Sequence, residues 1–200
     1  MFSFLKKLHT TGVFLLFLSL CSCEYIEAVD ELTVSTTSES NIIYLIKKGQ
    51  HSSTSSIQKI SGASMRYEIT FDSSAVYQTS ILENQGDINK LFGTSDCGSQ
   101  HHTNSARFGW RWYNNRLEIH AYTYLNKERS SKLVSTVELG RPYVYEIRFE
   151  DEQYVYLLND VRITMSRNCT GSGDGYMLYP YFGGDETAPH DITITLNKLQ

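Results

Sequence analysis

The segment ARFGWRWY-NN-RLEIHAYTY, residues 106–124, constrains the fold more than any other part of the chain. Two runs of alternating character flank Asn114-Asn115. Asparagine tolerates positive φ, so two in succession suit a two-residue type I′ hairpin turn. Such a turn fixes which residues face each other. The predicted pairs are Tyr113–Arg116, Trp112–Leu117, Arg111–Glu118, Trp110–Ile119, Gly109–His120, Phe108–Ala121 and Arg107–Tyr122. Side chains alternate between the two faces of a strand. Phe108, Trp110, Trp112, Leu117, Ile119 and Ala121 share one face and read as core. Arg107, Arg111, Tyr113, Arg116, Glu118, His120, Tyr122 and Tyr124 share the other, which is polar, cationic and aromatic.

The rest of the chain continues in the same manner. Aromatic and β-branched residues are frequent, with 14 tyrosines in all. Short runs bounded by turn residues predict strands over 42–46, 65–71, 75–80, 105–113, 116–125, 132–139, 143–149, 154–158, 161–166, 176–182 and 191–199. The one helix-like stretch is 86–92. YVYEIRF-EDEQ-YVYLLNDVRITM, residues 143–165, predicts a meander with an acidic turn and a tight Asn159-Asp160 turn. This meander resembles one in concanavalin-like and laminin-G-like sandwiches, and the closing DITITLNKL resembles their last strand. The resemblance implies an all-β fold: an antiparallel β-sandwich of jelly-roll, concanavalin-like type, spanning residues 42–200 as one domain.

The N-terminus predicts export. Lys6 and Lys7 precede an apolar run, VFLLFLSL, too short to span a bilayer, and then Leu20-Cys21-Ser22-Cys23. These four residues resemble the lipobox of bacterial lipoproteins, which implies cleavage after residue 22 and lipid on Cys23. Residues 24–41, rich in serine and threonine, are expected to form a tether. Glu24, Glu27, Asp30 and Glu31 resemble the acidic export signals of some surface lipoproteins. The expected location is the cell envelope, anchored in the outer membrane and facing outward, with the membrane as partner through the lipid. Cleavage leaves 16 basic and 22 acidic residues, a balance that excludes a nucleic-acid partner. Of four cysteines, Cys21 is discarded and Cys23 is lipidated, so Cys97 and Cys169 are expected to form a disulfide.

Three places carry candidate chemistry. The first is the polar hairpin face. Sugars need flat aromatic surfaces against their C–H faces and planar polar groups for their hydroxyls. Tyr113, Tyr122 and Tyr124 offer the former, and Arg107, Arg111, Glu118 and His120 the latter. Arginine binds carboxylate or sulfate through two parallel hydrogen bonds, so an acidic glycan fits. Gly109 opposite His120 predicts open space above the imidazole. The second is DCGSQHHTN, residues 96–104, expected to rim the site with His101 and His102. Adjacent histidines on a strand would point oppositely, so zinc is not expected there. The third is YPYFGGDETAPHD, residues 179–191, where Asp185, Glu186 and Asp191 are candidate ligands for a structural calcium ion. No other cofactor is expected.

These features read first as a glycan-binding module whose partner is a polysaccharide. The alternative is a polysaccharide lyase with Arg107, Arg111, His120 and Tyr122 as neutraliser, base and acid. The strand motifs R-x-E-x-R and Q-I-H of alginate-lyase-like families are absent, and Arg116-Leu117-Glu118-Ile119-His120 matches them only in part. A glycosidase would need two carboxylates on one face, and the E-x-D-x-x-E strand of concanavalin-like glucanases is absent. The third alternative is a non-catalytic protein-interaction module of a surface assembly.

Overall fold

The computed structural model describes residues 41–200 apart from Ser55. The signal segment, the Cys23 lipidation site and almost all of the tether lie outside the described residues.

Twelve strands build two antiparallel sheets of six. In chain order they are β1 (Ile42–Ile46), β2 (Lys59–Gly62), β3 (Ser64–Phe71), β4 (Asn89–Ser95), β5 (Ser105–Tyr113), β6 (Arg116–Leu125), β7 (Glu128–Val137), β8 (Tyr143–Glu150), β9 (Gln153–Leu158), β10 (Val161–Ser166), β11 (Gly173–Leu178) and β12 (Ile192–Lys198). One sheet runs β1-β12-β3-β8-β9-β10 and the other β2-β11-β4-β5-β6-β7. The fold is the antiparallel β-sandwich expected from the sequence.

The β5–β6 hairpin has the predicted register at all seven pairs, from Arg107–Tyr122 to Tyr113–Arg116. Asn114 and Asn115 supply it, with φ of 51° and 56°. Two-residue turns also join β8 to β9 and β9 to β10, with Glu152 and Asn159 at positive φ.

The core lies between the sheets. Phe108, Trp110, Leu117, Ile119 and Ala121 point into it, as their alternation demands, and meet Ile69, Phe71, Tyr145, Tyr156 and Ile194 from the other sheet. Phe108 packs edge-on against Tyr145 and Tyr156, at 5.2 and 5.1 Å between ring centres. Edge-to-face pairs of this kind add roughly 1 kcal/mol beyond their burial.

Three local expectations are corrected. Residues 86–92 are not helical: Leu82–Gly86 is a 3-10 turn, and β4 begins at Asn89. Residues 75–80 form no strand, because a 3-10 turn at Ser73–Ala75, capped by Asp72, ends the extended run. β11 stops at Leu178, and Tyr179–Phe182 passes into a loop that makes only an isolated bridge with Lys90 and Ser52 at Tyr181. For residues 89–92, pairing of β4 with β5 decided the outcome against the local helical signal.

Candidate functional site

The outer face of β4, β5 and β6, opposite the core, is not a solvated surface. Arg107, Glu118, His120 and Tyr122 are all buried there, none more than 6% exposed. Loops cover this face and divide its side chains into two groups.

The first group is a closed network. Arg111 donates from Nε to Glu118 at 2.8 Å, and the His120 Nε2 lies 3.3 Å from the same carboxylate. Arg111 also donates from Nη1 to the carbonyl of Gly86 and stacks on Tyr113, at 4.5 Å from its ring centre. Burial opposes ionisation of Glu118, but Arg111 and His120 outweigh it and hold the carboxyl below its usual range. Burial, reinforced by Arg111, lowers the basicity of His120. The predicted open space above this imidazole is filled: a Cβ on Gly109 would collide with the Ile88 side chain. Arg111, Tyr113, Glu118 and His120 therefore tie the hairpin to the Leu82–Gly86 turn and do not line the cavity described next.

The second group lines a groove of about 460 Å³, within the range of ligand sites. It brings together Arg107, Tyr122, Tyr124, His101 and His102 from the sequence-based candidates. His101 and His102 do not sit on a strand. They lie in a turn with ring centres 4.2 Å apart, and both rings reach the groove. The disulfide Cys97–Cys169 closes the base of this turn. Within the turn, Asp96 N–H donates to the Asn104 carbonyl and Ser99 N–H to the Asp96 carbonyl.

Among the groove residues that escaped sequence reasoning are Lys90, Tyr176 and Tyr181. Lys90 is there because of a β-bulge. Pairing of β4 with β5 slips between Lys90 and Phe92, so Lys90 falls opposite Gly109 on the groove face, while Leu91 and Phe92 are both buried. Strict alternation from Gly93 would have placed Leu91 in the groove. The tyrosine-rich run YMLYPYF, residues 176–182, was the visible signal for the other two.

Arg107 is the central side chain. It is 6% exposed and lies between the rings of Tyr122 and Tyr124, at 5.1 and 5.7 Å from their centres. Gly93, its cross-strand neighbour, makes this approach possible: a Cβ there would meet Arg107 Cα and Cγ and the Ala106 carbonyl oxygen. Two of the guanidinium nitrogens, Nε and Nη2, are buried without any hydrogen-bond partner. They form the edge that grips a carboxylate with two parallel bonds. Burial pushes the guanidinium below its ordinary pKa, and the four nearby tyrosines oppose the shift. Arginine nevertheless stays charged.

His101 stands beside it. Tyr176 accepts the His101 backbone N–H at 3.1 Å, and its hydroxyl lies 2.7 Å from Nδ1. Burial, Arg107 and His102 push the His101 imidazole down to about 4, so it is neutral at physiological pH. In the tautomer in which Nδ1 accepts the tyrosine proton, the neutral ring carries its hydrogen on Nε2.

The candidate calcium ligands do not assemble into an oxygen cluster among the described residues. Glu186 instead accepts from Ser80 N–H, Ile81 N–H and Asn84 Nδ2, and Asp191 accepts from Lys48 N–H. The His/Cys/Asp/Glu group close enough to share an ion is Asp96, Cys97 and Cys169, whose two sulfurs are joined to each other.

No protein-family model matches the sequence, and no curated protein matches it. Solved structures do match in fold. The alginate lyase AlyC3 superposes with a TM-score of 0.53 at 8% identity, covering 80% of this chain and 74% of the lyase. SCLam, a non-specific endo-β-1,3(4)-glucanase from family GH16, superposes with a TM-score of 0.52 at 6% identity, covering 78% of this chain and 69% of the glucanase. The class defined is the concanavalin-like β-sandwich. At such identities the likeness extends to the fold alone.

Proposed function

We propose that the groove binds an acidic polysaccharide, with a carboxylate or sulfate of the sugar held by Arg107. The observation that carries this reading is the buried, unpartnered Nε–Nη2 edge of Arg107. A buried donor without an acceptor costs roughly 1–3 kcal/mol, more when charged. A ligand anion would supply the missing acceptor once the side chains that screen both nitrogens from solvent shift aside. Tyr122, Tyr124 and Tyr176 offer ring faces for the sugar. The Nε2–H of His101 suits a hydroxyl acceptor. The two fold neighbours, an alginate lyase and a glucanase, accord with a glycan ligand.

The lyase alternative loses two of its four residues, since Arg111 and His120 stand outside the groove. Of the two histidines that do line it, His101 has Nδ1 engaged by Tyr176, and His102 is not one of the four residues assigned to the lyase chemistry. Binding is therefore the better-supported reading.

The test titrates the full-length protein with oligomannuronate and oligogalacturonate while recording ultraviolet absorbance. Saturable binding that Arg107→Met abolishes, without new absorbance, supports the proposal. Growth of absorbance from unsaturated sugar ends replaces it with the lyase. Equal binding by Arg107→Met refutes it, and no binding to any charged glycan favours a protein partner.

The proposed setting is the cell envelope: a surface lipoprotein anchored through Cys23, presenting the groove outward.

A further inference from the structure

Arg107 is not the groove's only cation without an acid. Lys90 Nζ lies 5.3 Å from the centre of the Tyr122 ring, the ring that Arg107 approaches to 5.1 Å. Tyr181 flanks it on another side at 5.9 Å, and the Gly183 carbonyl accepts one of its hydrogens at 2.8 Å. An ammonium has three donors, so that bond leaves two. Neither Lys90 nor Arg107 takes part in any salt bridge among the described residues, although Arg111, Arg148 and Arg167 all do. A chain of net charge −4 thus keeps two unneutralised cations around one tyrosine.

One carboxylate would leave one of the two charges without a counter-charge. The Nε–Nη2 edge of Arg107 engages both oxygens of a carboxylate in a fixed plane. A carboxylate held in this way keeps lone pairs for other donors, as Asp96 does when it accepts from Arg167 and Tyr154, but it brings only one negative charge to two cations. We infer that Lys90 forms a second anion subsite beside Arg107, so that the ligand is a polyanionic glycan charged on neighbouring sugars, one of which rests on Tyr122. This inference rests on the acidic-glycan reading of the groove and adds the spacing of the charges. The bulge at Leu91 is the structural device that creates it, because without the slip Lys90 would face the core.

The groups facing Lys90 from neighbouring elements are Arg107, Arg129, Asp87, Tyr122 and Tyr181. Burial first, then Arg107 and Arg129, push its ammonium down to about 8, with Asp87 opposing.

The experiment compares two probes on full-length protein by calorimetry: an oligouronate ionised on every sugar, and the same oligomer methyl-esterified at all but one carboxyl. Lys90→Met should weaken the fully ionised probe about tenfold and leave the singly ionised one unchanged within roughly twofold, with Lys90→Arg retaining both. In the wild type, affinity for the fully ionised probe should fall between about pH 7 and about pH 9, and the singly ionised probe should show no such fall. Loss of both probes equally in Lys90→Met, or of neither, overturns the second subsite, as does a pH-independent wild type. In those cases a loss caused by Arg107→Met still upholds the acidic-glycan reading. Retention of both probes by Arg107→Met defeats that reading and this inference together.

Discussion

Arg167 donates from Nε to Asp96 at 2.7 Å with both side chains almost fully removed from solvent. Its other nitrogens reach the carbonyls of Glu150, Gly171 and Ser172. Tyr154 completes the shell, donating its hydroxyl to Asp96 at 3.0 Å. This guanidinium is satisfied from within the chain, whereas that of Arg107 is not.

The contrast predicts opposite responses to one substitution. Arg167→Met leaves Asp96 as an uncompensated buried charge and should destabilise the fold by about 3–5 kcal/mol. Arg107→Met removes a buried charge that has no partner and should leave stability unchanged or raised by roughly 1 kcal/mol. Urea unfolding of the two variants checks both signs. A large loss of stability in Arg107→Met would mean that its cation is satisfied internally after all.

Acid should loosen the domain through its histidines. His101 titrates at about 4 in the folded protein because burial and Arg107 disfavour its charged form, and at about 6.5 when unfolded. The unfolded chain thus gains a proton first as pH falls. The stability that neutral His101 contributes is complete above about pH 6.5 and is lost as pH drops towards about 4. His120, shifted the same way, adds to the slope. Melting temperatures across this window should fall less steeply for His101→Gln than for the wild type.

The disulfide between Cys97 and Cys169 spans 72 residues of sequence. Loop-closure entropy gives it about 4 kcal/mol of stabilisation. Replacing both cysteines by serine should lower the denaturation midpoint accordingly. Ligand affinity should fall as well, because the His101–His102 turn loses its covalent tie. Unchanged affinity in the double variant would show that the backbone hydrogen bonds of the turn suffice to hold it.

Gly93→Ala should damage the site and the fold together. The new Cβ would overlap the Arg107 Cα and Cγ and the Ala106 carbonyl, which are mostly backbone atoms with nowhere to move. Overpacking of this kind costs about 1–3 kcal/mol, measurable in the same unfolding assay. Binding of an oligouronate should fall with it.

The lipid anchor is tested separately. Cys23→Ser should abolish labelled palmitate incorporation and move the protein from the membrane fraction to the soluble one.

The hairpin from residues 105 to 125 was legible in the amino-acid sequence: two asparagines that accept positive φ set a register, and the register set both faces. That logic is local, so it could be read without coordinates. It also correctly separated the packed tryptophans from the arginines. It could not reveal how the polar face would be covered. Ile88 filling the space above Gly109, and the Leu82–Gly86 turn claiming Arg111, both depend on chain segments remote from the hairpin. Lys90 is the sharpest case. Nothing in NKLFGTS signals a bulge, because a bulge is decided by what the partner strand offers, not by the strand's own residues. Cys97–Cys169 was legible because the lipobox resemblance sets Cys21 and Cys23 aside and leaves one pair. The meeting of Arg107, His101, Lys90 and the tyrosines in one groove was left to the tertiary structure, because it joins β4, β5, β6, β11 and two loops that are adjacent only in space.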